Sequence, residues 1–421
     1  VGSTSGAARS LHVLFVSDTW GLIGGTERYA SVVVPELQAR GHRVTVLCRE
    51  DKDGGASPFQ VEVLERPELE GRTLLRWQRR ELRALLERLA PDVIFHSALR
   101  NVDGAELLCQ VAPVVRYVHD HTMFCPGLNK YREDGATCRE PLGRVCLERY
   151  YLKDGCICFK RSAFPDDGAA LTRFLDTYRE IEVAQLARTV LTNSHYMREQ
   201  LLQVGFHPDQ TSVLYYFTRS NTPDQPQGDL PPATQVFLDT SDAPLLFTPA
   251  RLTLPDKGVD YLITALGALQ RPFRAVVAGS GPAEDWLRAK ARDEGLDGRL
   301  HFTGWMDSPG VERLFALASV VVCPSVWDEP FGLVGIEAMT HRKPVVAFRV
   351  GGIPEWCRDG ETGILVERQD SAGLAAAIER LLADPELARK MGAQGHAFQE
   401  EGFPRDRHVR ELEGALLAAA G

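Results

Sequence analysis

The chain has 421 residues, 44% hydrophobic and 25% charged, with a formal net charge of −9. That is enough chain for about two or three domains, each with its own core. An acidic chain with no basic stripe excludes nucleic acid as the main partner, and no apolar run approaches the roughly 18 residues of a spanning helix. The opening VGSTSGAARS is small and polar and reads as a frayed tail rather than a signal peptide, so a cytoplasmic protein is expected.

Leu11 to Ser17 is a buried strand, and Asp18 to Gly25 reads as a glycine-rich turn. Thr26 to about Arg40 is a helix with Tyr29, Val32, Val33 and Leu37 on its apolar side; Gly41 ends it, and Val44 to Cys48 returns as a strand. This is a βαβ unit, so an α/β domain with a parallel sheet follows. Gly24 and Gly25 lack a Cβ and sit where such sheets bind ligands, at the carboxyl end of the first strand. Residues 72–90 form an amphipathic helix with Leu75, Leu82, Leu85, Leu86 and Leu89 in one stripe and Arg76, Arg79, Arg80 and Arg83 largely elsewhere. Such a helix ordinarily packs on a sheet with its basic face in water. Trp77 among the arginines keeps open a peripheral contact with anionic membrane lipid.

Two more strands, Pro91 to His96 and Pro113 to His119, place His96 and His119 at strand ends, where site residues collect. Five of the nine cysteines then fall close together: Cys125, Cys138, Cys146, Cys156 and Cys158. In a reducing compartment clustered cysteines point to a metal or a redox role. Four of the five would make a structural thiolate site for zinc, with an iron–sulfur cluster as rival; disulfides and unpaired thiols stay open, because no C-x2-C pair is present. Helices over Leu171–Ala187 and Met197–Val204 and strands over Thr189–Ser194 and Ser212–Tyr216 close this half. Residues 219–243, rich in Pro, Asp, Thr and Gln, read as a linker.

A second α/β domain starts at Leu245–Phe247. Arg251 and Lys257 follow that strand, six residues apart, and can neutralise a diphosphate together, the guanidinium as a fork and the ammonium as a point charge. Val259–Leu269 is a helix and Arg274–Ala278 and Leu300–Phe302 are strands; the turn Gly279-Ser280-Gly281-Pro282 is too short for a dinucleotide fingerprint. The decisive stretch is PSVWDEPFGLVGIEAMTHRKPVVAFRVGG, 324–352, entered from a buried strand Ser319–Cys323 and left through another, Val345–Phe348. Phe331-Gly332-Leu333 opens a helix whose unpaired N–H groups form an anion site. Carboxylates at Glu329 and Glu337 would repel a phosphate there, so their partners are hydroxyls on either side of it. A nucleotide sugar has phosphates in the middle and polyols at both ends. Helices over Leu374–Leu382 and Arg407–Ala419 complete the chain.

Spaced eight apart as E-P-F-G-L-x-x-x-E between two buried strands, Glu329 and Glu337 resemble the donor-site signature of the retaining GT-B glycosyltransferases of family GT4. The GGTERY turn, the histidine at 119 followed by Asp120 and the R-x5-K pair at 251 and 257 resemble that family in the same order, although Ala250 stands where its members commonly have glycine. The resemblance implies two Rossmann-like domains facing each other across a cleft. An acceptor domain over 11–218, with a cysteine-rich insert at about 122–165, precedes a linker over 219–243. A nucleotide-sugar domain over 244–400 follows, and 401–421 is a helix crossing back to the N-terminal domain. It also implies hexosyl transfer from a nucleotide diphospho-sugar, UDP- or GDP-linked, to an acceptor hydroxyl. The acceptor is lipid-linked, a glycan or a small molecule, and the protein is cytoplasmic or peripheral to the inner face of a membrane.

In that scheme Arg251, Lys257 and the helix start stabilise the departing phosphate, and no D-x-D motif calls for a catalytic metal. Glu329 holds the donor sugar, Glu337 the ribose, His119 the transferred sugar, and Gly24-Gly25 approaches the diphosphate and acceptor. The cysteine insert folds a long loop. Another GT-B activity (a nucleotide-sugar epimerase or a phosphorylase) and a non-catalytic sugar-nucleotide-binding subunit are the competing readings.

Overall fold

A computed structural model describes residues 9–21, 25–52, 61–127, 130–132, 136–151, 156, 159, 166–218 and 228–421. They fall into two compact units. Unit 1 holds residues up to Asn129, then Cys138–Tyr215 and Asp406–Gly421; unit 2 holds Lys130–Thr137 and Tyr216–Arg405. The insert therefore contributes to both: its cysteines at 125, 138, 146 and 156 belong to unit 1, and the short bridge between Tyr131 and Thr137 to unit 2.

Unit 1 is built on seven parallel strands, β1 (His12–Trp20), β2 (Arg43–Asp51), β3 (Glu62–Glu65), β4 (Val93–His96), β5 (Val114–Val118), β6 (Thr189–Thr192) and β7 (Thr211–Val213). Their order across the sheet is β3-β2-β1-β4-β5-β6-β7. The helices are α1 (Gly25–Ala39), α2 (Arg76–Leu89), α3 (Val102–Val111), α4 (Arg144–Tyr151), α5 (Asp167–Ala184) and α6 (His195–Gln203). Buried along their whole length, β4 and β5 are mainly apolar, as central parallel strands are, with His96 and Arg116 the polar residues among them. One core packs Leu82 and Leu86 of α2 and Leu107 and Leu108 of α3 with Ile94 and Val114 of the sheet.

Two local expectations change. β1 runs through Asp18 to Trp20, which the glycine-rich sequence suggests is already turn. The helix expected from residue 72 begins at Arg76, because the preceding segment is tied down in extended form. Leu74 N–H donates to Asp103 at 2.7 Å, Val102 N–H donates to the Arg72 carbonyl at 2.8 Å, and the Arg72 guanidinium bridges Asp176 and Glu180 at 3.3 and 2.6 Å. These contacts outweigh the stripe's periodicity and leave Leu75 61% exposed at the helix mouth.

Unit 2 repeats the plan with six parallel strands, β8 (Leu245–Pro249), β9 (Arg274–Ala278), β10 (Leu300–Phe302), β11 (Val320–Cys323), β12 (Val345–Phe348) and β13 (Gly363–Val366). The order is β10-β9-β8-β11-β12-β13. Its helices are α7 (Pro232–Asp239), α8 (Val259–Ala268), α9 (Glu284–Asp293), α10 (Ser308–Leu317), α11 (Leu333–Thr340), α12 (Ile353–Trp356), α13 (Ser371–Ala383) and α14 (Pro385–Gly402). The stretch read as linker is helical in its second half: Pro232 starts α7, its fixed φ suiting a first turn, and Phe237 stacks on His301 at 5.1 Å. Residues 219–227 lie outside the described residues.

The last helix, α15 (Arg405–Ala420), packs with unit 1. Arg40 pairs with Asp406 and with Glu413 at 3.1 Å, His42 meets Glu413 at 3.0 Å, and buried His408 meets the Tyr29 hydroxyl at 2.8 Å.

Candidate functional site

The carboxyl ends of β8 and β11 carry the residues with the sharpest sequence signal. Lys257, in the loop after β8, donates from Nζ to Glu329 Oε1 at 2.6 Å, and Ser325 Oγ donates to the same oxygen at 2.7 Å. The ammonium also lies 5.2 Å from the centre of the Trp327 ring. Burial pushes the Glu329 carboxyl up, but the charge and hydrogen bond of Lys257, with Ser325 and Trp327, outweigh it and bring its pKa below the ordinary carboxylate range. The pair is therefore a carboxylate and an ammonium, side-chain exposures 15% and 17%, still open to a ligand.

Glycines let the loops close on one another. Gly258 has φ +61, and a Cβ there would stand 1.9 Å from the Pro324 carbonyl oxygen, so the two loops carrying Lys257 and Glu329 meet backbone to backbone. Gly351, φ +51, presses on Glu329 in the same way: a Cβ would lie 2.2 Å from its carbonyl oxygen, which accepts from Gly352 N–H at 2.8 Å. Asp328 accepts from Gly351 N–H at 3.1 Å and pairs with Arg368, leaving Asp328 Oδ2 and Arg368 Nη1 without a hydrogen bond among the described residues. Glu329 is thus held in place from both sides along the chain.

Gly332, φ +88, turns the chain into α11, and the Trp356 indole donates to the Phe331 carbonyl at 2.6 Å to fix that turn. The N–H groups of the first turn of α11 are aimed past the carboxyl end of the sheet. Glu337 sits half-buried one turn further on, near enough for its charge to reach Cys323. Arg251 is exposed; its loop is braced by Leu252 N–H to the Ser280 carbonyl at 3.0 Å, and Gly279 and Gly281 approach Ala250 and Leu252 too closely to admit a side chain. Arg251, Lys257, Glu329, Phe331, Gly332, Leu333 and Glu337 all belong to unit 2.

In unit 1 the corresponding strand ends carry His119. Its Nε2 meets Ser97 Oγ at 2.8 Å, and its backbone carbonyl accepts from Asn193 Nδ2 at 2.8 Å. Burial, with Arg116 and His408 adding positive charge, brings the imidazole pKa down to about 3, so the ring is neutral. Tyr117, Tyr29 and His408 pack around it, with the Tyr117 and His119 ring centres 4.6 Å apart. His96, the other strand-end histidine, has a different fate. It is buried, its Nε2 has no hydrogen-bond partner among the described residues, and with Arg116 and Glu180 it lines a cavity of about 20 Å³, room for about one water and not a substrate. Gly25 opens α1; Gly24 lies outside the described residues.

The cysteines need correction. Cys125, Cys138, Cys146 and Cys156 are all buried, and the Cys156 thiol is hydrogen-bonded with Cys138, with Cys125 and Cys146 nearby. Cys158 lies outside the described residues. Among the described residues no group of three or more His, Cys, Asp or Glu side chains is arranged to hold a metal ion, so the expected zinc or iron–sulfur site finds no support. Cys146 and Cys156 pack in an apolar cluster with Tyr150, Phe159 and Phe174.

Residues 23–217 match the family model described as Glycosyltransferase Family 4, and residues 235–398 match that described as Glycosyl transferases group 1. The chain belongs to the family 4, group 1 glycosyltransferases. Among curated relatives of this glycosyltransferase, the alpha-D-kanosaminyltransferase of Streptomyces kanamyceticus is 39% identical over 36% of this chain and 39% of that protein. The lipopolysaccharide core biosynthesis glycosyltransferase LpsE of Rhizobium meliloti is 36% identical over 40% of this chain and 48% of that protein. The match thus spans less than half of either relative's length. Among solved structures, Anabaena HepE in complex with UDP superposes with a TM-score of 0.71 at 20% identity, covering 97% of this chain and 100% of that one, and its UDP-glucose complex with 0.68. At that identity the likeness shows the GT-B fold.

Reading the sequence of this glycosyltransferase missed Ser325, Trp327, Asp328 and Arg368 as supports of Glu329, and Ser97 and Asn193 as supports of His119. Ser325, Trp327 and Asp328 lie inside the motif and were open to notice. Arg368 is 40 residues beyond Asp328, and nothing local marks it.

Proposed function

We propose that this glycosyltransferase moves a hexose from a nucleotide diphospho-sugar to an acceptor hydroxyl, with retention of configuration and no catalytic divalent metal. The observation carrying this reading is the Lys257–Glu329 pair, 2.6 Å apart at the carboxyl ends of β8 and β11 and flanked by the start of α11. When the glycosidic C–O bond breaks, the sugar becomes oxocarbenium-like and negative charge grows on the departing phosphate. Lys257, Arg251 and the N–H groups at Phe331-Gly332-Leu333 stabilise that charge with dipoles and cations already in place. A donor phosphate draws Lys257 away from Glu329, and sugar hydroxyls take over the oxygen so released. Glu337 holds the ribose. His119, kept neutral, orients the transferred sugar as a hydrogen-bonding group without adding positive charge beside the oxocarbenium centre. No enzymic nucleophile is assigned; the leaving phosphate oxygen takes the acceptor proton on the same face.

The complexes of HepE with UDP and with UDP-glucose favour a uridine donor. Thermal denaturation with UDP-, GDP-, ADP- and dTDP-sugars tests this, since a ligand bound to the native state raises Tm by mass action. One base series is expected to raise Tm, and Lys257→Ala to abolish the rise. Transfer should persist in EDTA, and the product anomer, read by NMR, should match the donor. A flat response to all four series together with no sugar transfer would sink the proposal.

A peripheral membrane contact is also proposed, on α2. No described helix is long and apolar enough to cross a membrane. Leu75 and Trp77 are 61% and 58% exposed, and Arg76 and Arg80 are exposed beside them. A lipid-linked acceptor would be met at such a surface. Sedimentation with phosphatidylglycerol vesicles should carry the protein down, and Trp77→Ser with Arg80→Ser should release it; no sedimentation at low salt removes this contact.

A further inference from the structure

The amino ends of the unit 2 strands enclose a second cavity, of about 220 Å³, at the edge of the sheet opposite the Lys257–Glu329 pair. It lies where Pro244 enters β8, Ser319 enters β11 and Lys343-Pro344 enters β12, and it is closed by the junction of α13 and α14. The walls are apolar: Val320 and Leu381 are buried, and Leu382 and Ala388 line the mouth. The charges are of one sign. Arg342, Lys343 and Arg389 all line the cavity, and no acidic residue does.

Three facts separate this place from an ordinary gap between helices. First, Lys343 is half-buried, burial moves its pKa downwards, and no carboxylate pairs with it among the described residues. A desolvated ammonium without a counter-charge is costly and is ordinarily relieved by pairing. Second, Arg342 is held in an unusual backbone position, φ +55, with its carbonyl oxygen against Gly392 of α14, where a Cβ would stand 2.0 Å away. The cation at the rim is therefore set by packing and not by a mobile loop. Third, of the three cations only Arg389 has an acidic partner among the described residues, Glu386 on its own helix.

We propose that this cavity binds a small anionic amphiphile, a phosphate or carboxylate on a short apolar chain, with the anion at Lys343 and Arg342 and the chain against Leu381, Leu382 and Ala388. The site is distinct from the donor site: β8 is five residues long, so at about 3.3 Å per residue the two lie roughly 15–20 Å apart. A nucleotide sugar is a poor occupant, since its pentose and hexose offer no apolar chain to these walls.

Octyl phosphate, kept below its micelle concentration, is the probe, with inorganic phosphate and octanol as controls, and isothermal titration calorimetry as readout. Octyl phosphate is expected to bind saturably at about one equivalent, and each control at least ~10-fold more weakly. Lys343→Met should weaken octyl phosphate ~10-fold or more, and Ala388→Trp, which fills the cavity, should abolish binding. Glu329→Ala, in the donor site, should leave it unchanged. Far-UV circular dichroism and Tm of each variant establish that it is folded. Non-saturable binding, equal binding of either control, or binding that survives both Lys343→Met and Ala388→Trp overturns the proposal. Loss of binding in Glu329→Ala also overturns it, by placing the probe in the donor site.

Discussion

The carboxyl ends of the two sheets solve the same problem differently. In unit 2 the site is made by backbone: Gly258, Gly332 and Gly351, all with positive φ, bring loops close enough that a single added carbon would meet a carbonyl oxygen or a packed ring. The side chains placed on them are charged, Lys257 against Glu329. In unit 1 the site is made by side chains: Tyr117 from the same strand, and Tyr29, Ser97 and His408 from distant segments, surround a neutral imidazole at His119, whose carbonyl is held by Asn193. On the proposed reading, fixed charge stands where phosphate charge grows, and a neutral, enclosed ring stands where a positive centre forms and another cation would raise the barrier.

The contrast is broken most directly at the ion pair. Lys257→Ala and Glu329→Ala are each expected to lower turnover ~10²-fold or more with the fold intact, the scale of losing one preorganised transition-state contact. Because the two touch, the double variant should cost much less than the product of the singles. Near-normal turnover in either single variant would remove the roles assigned to them. Next in size is backbone. Gly258→Ala places a Cβ 1.9 Å from the Pro324 carbonyl oxygen at φ +61, so unit 2 should lose roughly 2–4 kcal/mol in urea denaturation. A change below ~0.5 kcal/mol would mean that the two loops can part without penalty, and the claim that backbone builds this site would fail.

How much of each site the sequence discloses follows from the same difference. In unit 2 the strand, the loop with Glu329, the glycine turn and the helix with Glu337 are consecutive, so the residues that matter could be named from one stretch of chain. The partner that holds Asp328, Arg368, could not, because ion pairs between separate loops leave no periodicity. In unit 1 only the strand end at His119 is local. Ser97 follows β4, Asn193 follows β6, and His408 arrives on α15, so the enclosure that keeps His119 neutral exists only after folding. Short, continuously buried apolar runs marked both sheets, yet α7 was hidden by the prolines and polar residues that make 219–243 look like a linker. The cysteines are a related case: clustering in sequence left metal, disulfides and free thiols open, and among the described residues Cys146 and Cys156 are buried with Tyr150, Phe159 and Phe174 while no metal-holding group is found.

A smaller effect sharpens the comparison at His119. Ser97→Ala removes the hydrogen bond at Nε2, whose net worth is about 0.5–1.5 kcal/mol, so turnover should fall roughly 3- to 10-fold. The loss should appear in kcat more than in donor KM, since ring orientation matters most as the bond breaks. A loss as large as that of Glu329→Ala would show that side-chain enclosure in unit 1 contributes as much as charge in unit 2.

The smallest effect under ordinary conditions is on stability, and it carries a sign. Four unit 1 histidines have folded pKa values below the usual 6.5, all chiefly through burial: His119 to about 3, His408 to about 4, His96 by a wide margin, and the partly buried His12 downwards. Unfolding exposes them to water and lets them bind protons, so the unfolded state holds more protons than the folded one between those values and 6.5. The stability they contribute is present in full above about pH 6.5 and is lost as pH falls towards 4. Each histidine that titrates in this way gives a slope of up to about 1.4 kcal/mol per pH unit. Urea denaturation between pH 7.5 and 5 should therefore show falling stability, and His408→Gln should flatten it by about one proton's worth. Unit 2 lacks such a group at its site: the depressed carboxyl of Glu329 begins to matter only below about pH 4.5, so acid between pH 6.5 and 5 should act on the enclosed imidazoles and spare the ion pair. A pH-independent midpoint over that range would mean that the imidazoles are open to water, and the neutral enclosure proposed for His119 would fall with it.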